Sequence, residues 1–189
     1  MRGIRTEFHC LALLLAMLAA SCHHAPDTAM ANGAPDAAET EGGALPTVPL
    51  RILTAAGQAR AFTVELALTP AEQQHGLMHR KALAAGHGMV FPFAPPRTAS
   101  FWMKDTPLPL DLLFVRPDGT IAAILPGKPL DLRPISAGEP VSAVVEIAGG
   151  SASALGIAAG DHVQWGACPP SAAPDGEAWD GRAFCPPLR

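Results

Sequence analysis

Five side chains in the middle of the chain have the types and spacing to recognise a ligand: Arg80, Trp102, Lys104, Thr106 and Asp111. If residues 100–104 form a strand, side-chain alternation puts Trp102 and Lys104 on one face and Phe101 and Met103 on the other, so an indole sits beside an ammonium. Thr106 and Asp111 follow closely, and an apolar wall with a few polar groups suits a small anionic or polar ligand. The competing reading makes Trp102 a lid on the core and Lys104 a solvated cation, because large apolar side chains ordinarily pack. Arg80, Asp111 and Glu65 each lie beside apolar sequence, where a charge is costly unless paired. Arg80 with one of the two carboxylates is therefore the expected ion pair, either as a structural bridge or as a device that orients a ligand.

Other chemistries have thinner support. Met78, Met89 and Met103 offer the thioethers that select copper(I), but methionines in apolar runs ordinarily fill cores. His75 and His79 have the i, i+4 spacing of zinc ligands, with His87 following, yet Gly76 interrupts the helix and no glutamate between them can act as base. A hydrolase built on Asp111 or Glu65 would need a reactive partner and an open cleft. No nucleophile elbow, phosphate loop or dinucleotide fingerprint occurs. The expectation is a protein without cofactor and, on balance, without catalysis.

The elements that must position these residues are strands. With 20 prolines and 18 glycines among 189 residues, a mostly helical fold is disfavoured. Short β-branched or aromatic runs bounded by Gly or Pro lie at 50–53, 61–68, 88–93, 100–104, 111–115, 120–125, 143–148 and 162–165. They predict a mainly β domain over 48–165: a small sandwich or barrel of short, mostly antiparallel strands with one or two short helices. Pro117, Asp118 and Gly119 mark the clearest hairpin. Thr69, Pro70 and Glu72 form a capping box with proline at the first helical position, and a second helical turn is expected around 151–155.

The ends of the chain speak of location. Arg2 and Arg5 precede an apolar run, residues 10–20, which as a helix would span only about 16 Å against a bilayer core of about 30 Å. Residues 1–21 thus read as a signal peptide. Ala19, Ala20 and Ser21 before Cys22 resemble a bacterial lipobox, so Cys22 is the expected lipidation site, with ordinary cleavage and a soluble periplasmic protein as the alternative. Residues 22–47, poor in apolar side chains, read as a disordered tether whose coil reach is about 27 Å. Loss of Cys10 with the signal and acylation of Cys22 would leave Cys168 and Cys185, expected as a disulfide in a Pro-rich tail, 166–189. A net charge of −4 and the lack of a basic cluster disfavour nucleic acid as a partner.

Residues 64–67, 76–78 with Arg80, 88–93, 101–104 with Thr106, 109–111, Asp118 with Gly119, and Gly156, Ile157, Gly160 and Asp161 together resemble the bacterial and archaeal domain of unknown function 192 family. The likeness runs over about residues 50–165. It implies a compact, mainly β domain, commonly exported, with no established activity. Asp105 stands where that family is expected to carry asparagine. The combined expectation is a lipid-tethered envelope protein that binds a small ligand or an envelope protein. Copper(I) handling and hydrolysis are the alternatives.

Overall fold

The structure, a computed structural model, describes residues 44–168 and 181–186. The expected signal peptide, Cys22 and nearly all of the tether lie outside the described residues, as does much of the tail. Seven strands and two short helices follow in order: β1 (Thr47–Leu53), β2 (Ala59–Leu66), α1 (Pro70–His75), β3 (His87–Thr98), β4 (Leu110–Val115), β5 (Ile121–Gly127), β6 (Pro140–Ala148), α2 (Ser151–Ala154) and β7 (His162–Trp165). The mainly β expectation therefore holds, and both short helices fall where the sequence put them.

The strands form one mixed sheet in the order β5-β4-β6-β3-β2-β1-β7. Every neighbouring pair is antiparallel except β2 and β3, which run parallel because α1 carries the chain across between them. The sheet curls until its two edges touch through a single bridge, Thr120 to His162, and no ladder closes it into a full barrel. No helix among the described residues is long and apolar enough to cross a membrane.

Alternation along the strands sorts apolar side chains into two layers. Every strand contributes to the inner one, for example Ile52, Val64, Val90, Leu113, Ile121, Val145 and Val163. The outer layer lies on the opposite face of β3, β6 and β4, where Met89, Phe91, Leu112, Phe114 and Val144 are covered by Leu77, Met103 and Leu108 from the connecting segments. Because β4 and β6 are buried on both faces, they read as continuous apolar runs.

Local chemistry fixes the turns. In α1, Thr69 Oγ1 accepts from the Glu72 N–H at 3.2 Å and Glu72 Oε2 accepts from the Thr69 N–H at 2.8 Å, the reciprocal bonds of a capping box. The β4–β5 hairpin turns at Gly119, whose φ of +85° is open to glycine at little cost, and Asp118 Oδ1 accepts from the Thr120 N–H and hydroxyl. One expected strand does not form. In residues 100–104 only Phe101 pairs, exchanging both backbone bonds with Ile135. Met103 then donates to the Asp131 carbonyl, and Asp105, at φ +52°, turns the chain away. The alternation survives without the ladder, since Met103 is buried while Trp102 and Lys104 are exposed.

Candidate functional site

On β6 the side chains of Val144 and Glu146 point into the outer apolar layer. Glu146 lies in register with Met89 of β3 and Leu112 of β4, and only 5% of it is exposed. Burial among these apolar neighbours pushes its carboxyl up from 4.5 to about 8, so at neutral pH it holds its proton. Burial alone accounts for the shift, with no hydrogen bond or ion pair to that carboxyl contributing. A lone buried acid inside a doubly covered sheet is the least ordinary feature of the molecule.

Glu146 lines a cavity of about 40 Å³, together with Leu77, Met78, Phe91, Phe101, Trp102 and Thr106. Two loops wall it. The first follows α1, where Gly76, at φ +49°, packs against the edge of Phe91. A Cβ there would come within 3.3 Å of Phe91 Cζ, so glycine is what allows the approach. The second, residues 101–106, is fastened to the first by the His79 N–H donating to the Asp105 carbonyl at 2.7 Å. Phe101 stands edge-on to Phe91 with ring centroids 5.1 Å apart. Trp102 is 49% exposed and forms the outer wall, and the buried Thr106 donates its hydroxyl proton to the Lys104 carbonyl at 3.0 Å.

Of the five residues singled out in the sequence, Trp102 and Thr106 meet at this cavity and the other three do not line it. Lys104 lies outside it, its Nζ 3.3 Å from Asp105 Oδ2 and 5.9 Å from the centroid of the Trp102 ring. Arg80 forms a two-pronged pair with Glu65, with 2.6 Å between Nη2 and Oε2, and this is the expected bridge. The hydrogen bonds that it donates to Glu65 are the main reason the Arg80 guanidinium is held above its ordinary range. Asp111 is a cap: its oxygens accept from the Gly150 N–H at 3.1 Å and the Ala152 N–H at 2.9 Å at the start of α2. Arg80, Glu65 and Asp111 thus belong to two separate structural contacts and not to one ligand-orienting set.

The remaining candidates are placed as follows. Met78 lines the cavity, whereas Met89 and Met103 are fully buried in the outer layer and present no sulfur at the surface. His75 lines the cavity rim with its ring 6.0 Å from that of His79, and His87 is exposed at the start of β3. No group of three or more His, Cys, Asp or Glu side chains suited to a metal occurs among the described residues. Cys168 and Cys185 are joined in a disulfide.

Residues 51–165 match the profile of DUF192, described as Uncharacterized ACR. A crystal structure from Sinorhizobium meliloti 1021, named as a proposed transcription regulator, is 39% identical with a TM-score of 0.63, covering 65% of this chain and 96% of that one. A second, a protein of unknown function from Novosphingobium aromaticivorans, is 40% identical with a TM-score of 0.62, covering 75% of this chain and 100% of that one. No curated protein matches the chain.

Proposed function

We propose that this chain, which belongs to the uncharacterised DUF192 family, is a non-enzymatic binding module of the bacterial envelope that takes a small ligand, free or carried on a protein. One observation carries the reading: a solitary buried carboxyl, Glu146, opens into a small cavity whose outer wall is the exposed Trp102. The two carboxylates a hydrolase could have used are engaged elsewhere, Glu65 by Arg80 and Asp111 by backbone amides. A concave site where apolar walls and several polar groups converge is a design for recognition.

Leu130 and Leu132 add to that surface. They are 60% and 63% exposed, and their loop is bonded to the cavity loop through Leu130 N–H to the Thr106 carbonyl and Met103 N–H to the Asp131 carbonyl. With Trp102 they form the exposed large apolar side chains of the described residues. Exposed apolar groups on neighbouring loops suit contact with a ligand or a partner. The proposed address is the periplasmic side of a membrane, reached through the signal peptide and held by an acyl chain on Cys22. The transcription role named for the Sinorhizobium protein is not extended to this chain, whose net charge of −4 gives little purchase on phosphate backbones.

The test is a fragment titration followed by NMR, using small amines, carboxylates, alcohols and amides. At least one class must shift the Trp102 indole signal to saturation and leave unmoved the Trp165 indole, which is bonded to the Gly181 carbonyl in the interior. Chemical conversion of a fragment by the protein would overturn the non-enzymatic reading. For location, acyl labelling that persists in Cys22→Ser would remove the proposed anchor.

A further inference from the structure

We infer that the cavity over Glu146 receives a primary ammonium group, the head of a small free amine or the tip of a lysine side chain, held by the Glu146 carboxylate inside the wall of Phe91, Phe101 and Trp102. The inference rests on the binding-module reading and names its ligand class.

Four features of the site point the same way. First, its buried polar side chains, Glu146 and Thr106, can accept, while Gln74, His75 and the Trp102 indole, which carry N–H groups, lie on its exposed side. Glu146 brings two carboxyl oxygens, and the Thr106 hydroxyl, which donates its proton to the Lys104 carbonyl, has lone pairs left to accept. Gln73, also on the lining, spends its amide N–H groups on the Ala67 and Pro92 carbonyls. An ammonium has three donors and no acceptor and matches Glu146 and Thr106 once Glu146 gives up its proton, whereas a carboxylate or phosphate would meet there only the single O–H of the protonated acid.

Second, three of the lining residues, Phe91, Phe101 and Trp102, are aromatic, and ring faces attract cations. The Trp102 ring already does so, with the Lys104 ammonium 5.9 Å from its centroid. Third, about 40 Å³ holds roughly three waters, the size of a methylammonium head and too small for a whole metabolite. Any remaining chain of the ligand must lie outside, where Trp102, Leu130 and Leu132 are exposed. Fourth, the Glu146 carboxyl has no protein partner among the described residues, and an ammonium would be the counter-ion that its ionised form lacks.

Binding is then coupled to a proton. Glu146 is protonated at neutral pH because burial raises it to about 8, and an incoming ammonium displaces that proton. The charged or titratable groups that face the site are few. His75 comes from α1, and Lys104 with Asp105 flank the outer wall; Met89 of β3 and Leu112 of β4, the strand neighbours of Glu146, carry none.

The experiment titrates the purified protein with n-butylammonium, a lysine-containing tetrapeptide, n-butanol and butyrate, following the Trp102 indole by NMR and heat in two buffers of different ionisation enthalpy. An ammonium probe should saturate at least tenfold more tightly than butanol or butyrate and release close to one proton per site at pH 7. Glu146→Gln, checked for an unchanged melting transition, should weaken it at least tenfold and abolish proton release. Should Glu146→Gln fold poorly, Thr106→Val provides the second variant, with a smaller loss expected. Binding of butylammonium assigns a free amine, and binding of the tetrapeptide alone assigns a protein-borne lysine. Butanol or butyrate binding as tightly as both amines would overturn the cation assignment and leave the binding module standing. If no probe moves Trp102, both readings fall.

Discussion

Glu146 makes the stability of the protein depend on pH in an unusual direction. Its folded pKa, about 8, lies above the ordinary value of 4.5, so the native state binds a proton more firmly than the unfolded chain. The resulting stability is complete below about 4.5 and is lost as pH rises to about 8, at about 1.4 kcal/mol per pH unit. Urea midpoints taken at pH 5 and pH 8 should fall accordingly in the wild type and lose most of that slope in Glu146→Gln; parallel profiles would contradict the burial argument. The residue was legible in principle, since one acid interrupts the otherwise apolar end of β6, and an acid in a strand covered on both faces is costly. Reading along the chain favoured charges beside aromatic residues instead, and so named Trp102 and Thr106, which line the cavity, and not Glu146, which lines it with them. Asp105 illustrates a different residue-scale constraint. Its φ of +52° is the left-handed conformation that asparagine and aspartate tolerate best after glycine, which accounts for the asparagine expected there. Asp105→Asn should change stability by less than about 0.5 kcal/mol, because the exposed pair with Lys104 contributes little. Asp105→Val should cost about 1 to 2 kcal/mol in the same denaturation assay.

At the scale of elements, the signals that could be read were those with local chemistry. The capping box of α1 and the hairpin at Gly119 need only a few neighbouring residues, so both appear in the sequence and in the fold. Residues 100–104 have strand composition, but a strand also needs a partner along its length, and the loop around Ile135 offers only one bridge. The mixed pairing of β2 with β3 and the meeting of the sheet edges are long-range facts that no local pattern encodes. The caps carry two predictions. Thr69→Ala should cost about 1 kcal/mol by urea unfolding. Part of that support comes from Glu72, whose carboxyl lies below its usual range chiefly because it accepts the backbone N–H of Thr69. Its contribution is present above about 4.5 and lost in acid, opposite in sign to that of Glu146. Asp111 joins β4 to α2 through charged hydrogen bonds that are nearly buried, so Asp111→Ala should cost about 3 kcal/mol and leave binding at the Trp102 cavity intact. A loss of fragment binding in a folded Asp111→Ala protein would return Asp111 to the site.

Over the whole molecule, the curled sheet leaves the outer side of β7 without a strand partner, and the tail supplies a partial one. Trp165 of β7 forms a bridge to Phe184, exchanging backbone hydrogen bonds, and the two rings stack at 4.5 Å. The Trp165 indole N–H donates to the Gly181 carbonyl, and the Gln164 amide donates to the Pro186 carbonyl. These contacts cover an edge that would otherwise offer backbone groups to another chain. The Cys168–Cys185 disulfide, with a sequence separation of 17, holds the covering segment in place by restricting the unfolded chain. Its removal should therefore act on stability and not on recognition, because neither cysteine lines the Glu146 cavity. The double variant Cys168→Ser with Cys185→Ser, which leaves no odd thiol from this pair, is expected to lose about 3 kcal/mol on the chain-entropy model. Reductant should lower the melting transition of the wild type and leave that of the double variant unchanged. Fragment titration of the Trp102 indole below the melting range should give the same affinity in both proteins. A double variant that keeps its stability would mean that the noncovalent contacts of the segment, the Trp165–Phe184 stack and bridge and the bonds to Gly181 and Pro186 among them, suffice to hold it.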